Sequence, residues 1–229
     1  MGLILGIDTS VETALVYIAK DGAIIQAEEN NEIRNHGSFL QPAIHSILQS
    51  AQIELQNVDA IAVVNGPGSY TGLRVGLASA KGLCYTLQKP LITISTLKLL
   101  AFNALCATKT MSALKEAFLL CPMIDARRME VFTATYNNNL DEVIEPNALV
   151  VEDTSFKELL ETQQIVFNGN GSNKVATIIS HPNAIFIGYS NLKNSFATLA
   201  ENHLHDNLFA NVAYSEPHYV KDVYFAAKS

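Results

Sequence analysis

The sequence has few cysteines, few charged residues and no uninterrupted apolar run near the roughly 20 residues that a membrane-spanning helix requires. Its amino-terminal residues lack the basic start and the small-residue cleavage site of a signal peptide, so we expect a cytoplasmic protein without membrane contact. The three cysteines, Cys84, Cys106 and Cys121, are odd in number, lack Cys-x-x-Cys spacing and have apolar neighbours. We predict that all three are reduced thiols, buried as small hydrophobic groups.

Common catalytic signatures are also missing. The glycine-rich segment from Gly66 to Arg74 lacks the Gly-Lys-Ser/Thr ending of a Walker loop, and Thr71 stands where a dinucleotide fingerprint needs its third glycine. The six histidines form no His-Glu-x-x-His motif, and His203 and His205 are too close for two zinc ligands on one helical face. There is no Gly-x-Ser-x-Gly elbow. The residues alone therefore complete no catalytic constellation.

The composition is that of a globular protein. The 229 residues are 48% hydrophobic, which is enough for the core of one large or two small domains and excludes disordered and collagen-like chains. Residues 1–110 carry seven basic and eight acidic residues, whereas residues 111–229 carry eight and fourteen, so most of the net charge of −7 lies in the second half. This acidic balance argues against the chain binding nucleic acid alone.

The spacing of apolar residues predicts an α/β chain whose two halves follow a similar plan. In the first half we predict strands at 3–8, 13–20, 23–28, 60–64 and 91–94 and helices at 38–51, 73–87 and 96–106. In the second half we predict strands at 118–124, 130–136, 165–168 and 184–187 and helices at 155–161, 173–180 and 195–207. Asp21-Gly22 is a strong hairpin turn. Ser38 with Gln41 suggests a helix-capping box, but Pro42 restricts this interpretation, because the helix either starts nearer Pro42 or bends there.

Four loops at strand ends carry polar groups. Asp8-Thr9-Ser10 is either a site for a phosphate or a metal-bound nucleotide, or a turn in which the side chains bond their own backbone. The segment from Gly66 to Gly72 either holds a phosphate or seats a closely packed helix. Asp125-Ala126-Arg127-Arg128 is more typical of an ion pair than of a catalytic site, and Gly169-Asn170-Gly171-Ser172 is more typical of an ordinary helix-capping turn.

Five segments carry more specific motifs. They are Gly6-Ile7-Asp8-Thr9-Ser10, the run from Asn65 to Gly76 (NGPGSYTGLRVG), Ile94-Ser95-Thr96-Leu97, the run from Ile124 to Phe132 (IDARRMEVF) and Glu216-Pro217-His218-Tyr219-Val220. In this order, over nearly the whole chain, they resemble the TsaB family, formerly called YeaZ. The second, third and fourth segments are highly specific for that family, whereas the first and last alone are not.

This resemblance implies a two-domain fold of the actin-like ATPase class (ASKHA, ribonuclease H-like), in which each domain is a mixed sheet with flanking helices. We place the domains at residues 1–105 and 106–229, with a C-terminal segment that either stays in the second domain or packs back on the first. The resemblance also implies a scaffold or activator that works with a TsaD-like enzyme and a TsaE-like ATPase. TsaD transfers a threonylcarbamoyl group to the adenosine beside the anticodon of tRNAs that read codons starting with A.

The resemblance further implies a non-catalytic subunit without cofactor or metal, a homodimer when alone, a heterodimer with the TsaD-like partner, and only indirect contact with tRNA. Catalytic relatives hold a metal through a His-x-x-x-His pair after the glycine-rich helix, but residues 94–100 here contain no histidine. A metallopeptidase is excluded on the same ground. The alternative is an ATP-dependent phosphotransferase or ATPase of the same fold class that uses Asp8 and Asp125, although neither is followed by the glycine that lets backbone approach a phosphate.

We predict a partner surface on two helices of the first domain, residues 39–51 and 71–87. The second helix is apolar or small nearly all round, and one sheet can cover only one of its faces. The alternative is that the same residues face the domain's own sheet. The predicted contact residues are Phe39, Leu40, Ile44 and Ile47 on the first helix and Tyr70, Arg74, Leu77, Lys81 and Cys84 on the second.

Overall fold

The computed structural model describes residues 2–31, 36–109, 111, 114–189 and 192–221. The chain divides into unit 1, Met1–Asn103 with Ser190–His218, and unit 2, Ala104–Tyr189 with Tyr219–Ser229. None of the helices in these described ranges combines the length and the apolar character needed to cross a membrane.

The strands are β1 (Leu3–Asp8), β2 (Ala14–Lys20), β3 (Ala23–Asn30), β4 (Ala60–Gly66), β5 (Leu91–Ser95), β6 (Phe118–Asp125), β7 (Glu130–Asn137), β8 (Glu142–Val150), β9 (Gln164–Asn168) and β10 (Ala184–Phe186). The α-helices are α1 (His36–Ala51), α2 (Tyr70–Leu87), α3 (Thr96–Thr108), α4 (Lys157–Thr162), α5 (Ser172–Val175) and α6 (Leu192–His205), and Leu55–Asn57 forms a short 3-10 helix.

The sheet of unit 1 has the strand order β3-β2-β1-β4-β5. β1, β2 and β3 form an antiparallel meander, whereas β4 and β5 continue from β1 in parallel. The predicted hairpin turn is confirmed, because Asp21 and Gly22 both have positive φ angles, 53° and 76°, as a tight turn between twisted strands requires.

Unit 2 repeats this topology. Its sheet has the order β8-β7-β6-β9-β10, with antiparallel β6, β7 and β8 and parallel β6, β9 and β10. The predicted two-domain α/β fold, with a mixed sheet in each domain, is confirmed. Strand β8 was not predicted; it lies at the edge of the sheet and contains Pro146, a residue that the edge of a sheet tolerates because its missing N–H breaks no interior ladder.

Both faces of the first sheet are covered. Because side chains alternate along a strand, Leu5 and Ile7 of β1 point to α1 and α2, whereas Ile4 points to the side of α3 and α6. On that second side, Phe196 of α6 meets the ring of Tyr17 edge-on, with the ring centroids 5.0 Å apart. The sheet is therefore a buried central layer, with helices on each side.

The predicted domain boundary needs a correction. The first break lies between Asn103 and Ala104, near the predicted residue 105, but α6 and the following segment through His218 belong to unit 1. The sequence left open whether the C-terminal segment stays in the second domain or packs back on the first, and the structure has the second alternative from α6 through His218. Phe196 and Ala200 of α6 are fully buried against the first sheet, and this apolar burial holds the returning chain in unit 1.

Two local predictions are also wrong. α1 already includes His36, so Ser38 lies inside the helix and does not cap it. Pro42 is also inside α1; as the seventh residue of the helix it lies beyond the first turn, so its missing N–H leaves one intrahelical hydrogen bond unmade. Cys84 and Cys121 are buried as predicted, but Cys106, in the last turn of α3, is exposed.

Candidate functional site

The loop after β1 is a closed polar turn. Asp8 is only 4% exposed, and its Oδ1 atom accepts hydrogen bonds from the backbone N–H of Ser10 (2.8 Å) and from the Ser10 hydroxyl (2.6 Å). This geometry matches the turn interpretation of Asp8-Thr9-Ser10, because the carboxylate bonds its own loop.

The glycine-rich segment packs directly onto this loop. The backbone N–H of Ser69 donates to Ser10 O (2.7 Å), and the Thr9 hydroxyl donates to Gly72 O (2.7 Å). A Cβ atom on Gly68, Gly72 or Gly76 would lie less than 3.0 Å from an oxygen atom of Thr9 or Ser10. The glycines therefore let the start of α2 approach the loop, as the closely packed helix interpretation requires, and the loop's own atoms fill the space beside them.

Most of the predicted partner-surface residues lie in the core of unit 1, so the prediction is wrong for them. The structure buries five of the nine to 3% exposure or less, and Phe39 is partly buried against the same cluster. The reason is that α1 and α2 lie side by side on one face of the sheet and cover each other as well as the strands. The buried residues are Leu40, Ile44, Ile47, Leu77 and Cys84.

The three polar residues of the predicted seam lie at the surface of α2, but they serve other contacts. The guanidinium carbon of Arg74 lies 4.2 Å from the centre of the Tyr70 ring, which is a cation–π contact. The Lys81 ammonium donates to the carbonyl oxygens of Ala213 (3.1 Å) and Ser215 (2.9 Å). Lys81 therefore holds the C-terminal segment of unit 1 against α2 by hydrogen bonds. The position of Lys81 in the sequence did not indicate this role.

This C-terminal segment, residues 210–218, runs along α2 within unit 1. Ala210 pairs with Leu91 of β5 at one end, and the backbone N–H of His218 donates to Asn65 O (2.7 Å) at the other. Between α2 and the segment lies an open groove of about 460 Å³. The groove is lined by Arg74, Leu77, Ala78, Lys81, Ser215, Glu216 and Pro217.

The face of α2 that points to solvent differs from the predicted seam. It carries the small residues Ala78 and Gly82 and ends on Tyr85, which is 75% exposed. A Cβ atom added to Gly82 would meet nothing within 4 Å, so this side of the helix is open. The exposed residues along this face are Thr71, Arg74, Ala78, Gly82 and Tyr85.

In unit 2, the loop after β6 is organised by a lysine that no sequence motif indicates. The Lys174 ammonium pairs with Asp125 Oδ1 (2.7 Å) and donates to the carbonyl oxygens of Arg128 (2.9 Å) and Glu130 (2.5 Å). The hydrogen bond from Lys174, aided by the backbone N–H of Arg127, lowers the pKa of Asp125 below its ordinary value. The predicted ion pair is thus present, but its cation is Lys174 and not a neighbouring arginine.

The loop at Gly169-Asn170-Gly171-Ser172 supports the Asp125 loop. Asn170 Oδ1 accepts a hydrogen bond from the backbone N–H of Asp125 (2.9 Å), and a Cβ atom on Gly171 would press against the backbone of Ile124 and Asp125. The signal for this pairing was present in the sequence, since both loops were singled out, but their contact depends on β6 and β9 being neighbours.

The described part of the chain contains no group of three His, Cys, Asp or Glu side chains arranged to hold a metal ion. The segment that begins α3, Thr96-Leu97-Lys98, has no histidine, as the sequence already shows. His203 lies on α6, where burial and the nearby Lys98 ammonium lower its pKa.

Comparison with known proteins identifies the family. The family model of TsaD, described as tRNA N6-adenosine threonylcarbamoyltransferase, matches residues 24–227. The chain belongs to this family. Within the family, its sequence resemblance to TsaB is confirmed by relatives named tRNA threonylcarbamoyladenosine biosynthesis protein TsaB. The Bacillus subtilis (strain 168) protein is 33% identical over 155 residues, and the Escherichia coli (strain K12) protein is 34% identical over 139 residues.

These matches to TsaB proteins cover only part of each chain. They include 66% and 59% of this chain but 63% and 55% of the two relatives, so the match spans little more than half the length of each relative. A tRNA N6-adenosine threonylcarbamoyltransferase from Symbiobacterium thermophilum is 34% identical over 113 residues, which are 42% of this chain and 33% of that protein. The solved structure of YeaZ from Pseudomonas aeruginosa, at 23% identity, covers 96% of this chain and 100% of its own, with a TM-score of 0.76, and shows that the two folds agree.

Proposed function

We propose that this TsaB-like chain is a non-catalytic subunit that supports threonylcarbamoyl transfer to tRNA, with the catalytic site on a TsaD-like partner. The names of its relatives support a role in making threonylcarbamoyladenosine. In this proposal the chain is cytoplasmic, pairs with itself when alone, and exchanges that contact for the TsaD-like protein, while a TsaE-like ATPase joins the complex.

The observation that carries the non-catalytic role is the closed first loop. A phosphate site at the end of β1 would need free N–H donors and space for the anion. Instead, Ser10 bonds the Asp8 carboxylate, and the glycines of the next loop lie against the carbonyl oxygens of Thr9 and Ser10. Carbonyl oxygens repel a phosphate, so this loop is built to hold α2 in place.

The exposed face of α2 supports a partner contact in a position different from the predicted seam. Small residues at Ala78 and Gly82 let the backbone of a partner helix come close, and Tyr85 offers a large aromatic side chain of the kind that anchors interfaces. Tyr70 and Phe39, both partly exposed, lie towards the amino-terminal ends of their helices and remain proposed contacts.

Reconstitution tests the function. The chain is combined with the TsaD-like and TsaE-like proteins of its host, ATP and tRNA, and transfer is measured with each component left out in turn. We expect transfer to depend on this chain and to survive in Asp8→Asn, which keeps the acceptor for Ser10 but removes the charge. If the purified chain alone hydrolyses ATP, and Asp8→Asn loses that turnover, the phosphotransferase or ATPase alternative replaces this proposal.

A further inference from the structure

The turn between β6 and β7, residues 125–130 and here called the arginine turn, holds two consecutive arginines in an unusual backbone conformation. Arg127 has a φ of 72° and Arg128 a φ of 47°. Both lie in the left-handed region, which a side chain with a Cβ atom adopts at an energetic cost and which glycine adopts freely. Positive φ angles are ordinary in a hairpin turn, as at Asp21 and Gly22, but arginine keeps them only where the surrounding structure enforces them.

The surrounding structure does enforce them. Lys174 binds Asp125 Oδ1 and the carbonyl oxygens of Arg128 and Glu130, while the backbone N–H of Arg127 donates to Asp125 Oδ1 (2.6 Å). The backbone N–H of Glu130 closes the turn on Arg127 O (3.0 Å). These bonds fix the backbone at the two arginines and so fix the point from which each side chain leaves it.

Both acidic side chains of the arginine turn are already paired with lysines. Asp125 is bound by Lys174, and the Glu130 carboxylate receives two hydrogen bonds from Lys221, at 2.8 and 3.1 Å. Neither acidic side chain is therefore paired with an arginine.

The guanidinium groups of Arg127 and Arg128 are left for an external ligand. Both residues are exposed, and within the described ranges neither side chain makes a hydrogen bond, an ion pair or a ring contact. Arg74, by contrast, has a partner within the chain, because its guanidinium stacks on the Tyr70 ring. The chain has four arginines against eleven lysines, so it places half of its arginines at this one turn.

We propose that the arginine turn binds the phosphate groups of tRNA through Arg127 and Arg128. A guanidinium offers paired N–H donors that match the oxygen atoms of a phosphate, which a lysine cannot do. Two exposed, adjacent guanidinium groups on a turn held by hydrogen bonds can contact successive phosphates of an RNA backbone that runs across the surface. The assignment of the phosphate to tRNA rests on the proposed function, and it replaces the expectation of purely indirect tRNA contact.

The contact is small, which agrees with weak tRNA binding by the isolated, acidic chain. Each phosphate contact changes the slope of log affinity against log salt by about 0.7 to 0.9, so two arginines contribute a slope of up to about 2. In the complex, where the TsaD-like partner holds the tRNA, loss of both contacts at physiological salt should raise the KM for tRNA roughly tenfold.

The test compares three double variants in the reconstituted transfer reaction. Arg127→Gln with Arg128→Gln removes the guanidiniums, and Lys109→Gln with Lys157→Gln removes the same charge from exposed positions elsewhere in unit 2. Arg127→Gly with Arg128→Gly also relieves the left-handed conformations. We expect both arginine variants to raise the KM for tRNA with kcat and partner binding unchanged, the glycine variant to melt higher than wild type, and the lysine variant to match wild type.

Other results overturn the inference. An unchanged KM for tRNA in both arginine variants, or an equal rise in the lysine variant, removes the specific contact. A rise in the KM for ATP alone assigns the phosphate to the nucleotide, and a lower melting temperature of the glycine variant makes the arginines structural.

A direct binding measurement separates this inference from the proposed function. If the wild-type chain does not stimulate transfer, the proposed function fails, and binding is then read from the Nε–Hε NMR signals of the arginines. Titration with an anticodon stem–loop RNA should shift the signals of Arg127 and Arg128 more than that of Arg74. Shifts of similar size at Arg74, or no shifts, overturn the inference independently.

Discussion

The hydroxyl of Thr9 donates a 2.7 Å hydrogen bond to the carbonyl oxygen of Gly72, which ties the loop after β1 to the first turn of α2. Further along α2, a Cβ atom on Gly76 would collide with the same hydroxyl. One small side chain on β1's loop thus sets how closely the helix can pack. The most specific motif of the sequence is, in this structure, a device for close packing.

Substitution of Gly76 should expose this packing. Gly76→Ala places a methyl group less than 3.0 Å from Thr9 Oγ1, and this hydroxyl can turn away only by losing its hydrogen bond to Gly72 O, so we expect the free energy of unfolding to fall by about 1–3 kcal/mol. Gly82→Ala on the same helix meets nothing within 4 Å and gains helix propensity, so it should raise stability by roughly 0.5–1 kcal/mol. Urea denaturation measures both. Equal effects of the two changes would contradict the packing role.

Leu77 and Ala78 are consecutive residues of α2, but Leu77 lies in the core and Ala78 lies on the surface. Leu77→Glu places an unpaired carboxylate at a position that is 3% exposed, so we expect a loss of several kcal/mol and an insoluble or low-melting protein. Ala78→Glu lies on the exposed face and should keep the thermal midpoint while weakening co-purification with the TsaD-like partner. A well-folded Leu77→Glu protein that fails only in partner binding would restore the seam predicted from sequence.

The Asp125–Lys174 pair should give unit 2 a small acid sensitivity. Lys174 lowers the pKa of folded Asp125 below its ordinary value of 3.8, so the pair stabilises the fold above that value and loses its effect as the pH falls through the folded pKa. Because the Asp125 side chain is 47% exposed, Asp125→Asn should cost no more than about 1 kcal/mol at neutral pH. Urea denaturation at several pH values should show the difference from wild type shrinking below pH 4, with Asp153→Asn as the exposed control.

The three cysteines should differ in reactivity. Burial raises the pKa of both the Cys84 and the Cys121 thiol to about 12, so at pH 8 only about one molecule in 10⁴ carries the reactive thiolate at either site. Cys106 is exposed on α3. Ellman's reagent should therefore modify one thiol quickly in the folded protein and three after denaturation. Cys106→Ser should abolish the fast reaction; a fast phase that survives in this variant would mean that a buried site opens.

The sequence was sufficient for features that depend on neighbouring residues. Alternating apolar residues and the Asp21-Gly22 turn predicted the first meander, and the recurrence of the same plan predicted the second domain. Local chemistry also offered bonding of Asp8 and Ser10 within their own loop as one of two alternatives, and the structure has that one. These features follow from backbone geometry and short-range hydrogen bonds, which a stretch of ten residues already contains.

Burial and pairing between distant segments were decided only by the tertiary structure. Leu77 looked available for a partner because one sheet cannot cover a helix that is apolar all round, yet α1 lies beside α2 and completes its cover. Lys81 was predicted to contact a partner, but the returning chain places Ser215 beside it, and no sequence motif indicated that Lys174 pairs with Asp125. The apolar residues of a sequence determine how much surface must be buried away from water. Which neighbour buries each residue depends on how the helices and strands pack, because the hydrophobic effect has no preferred direction.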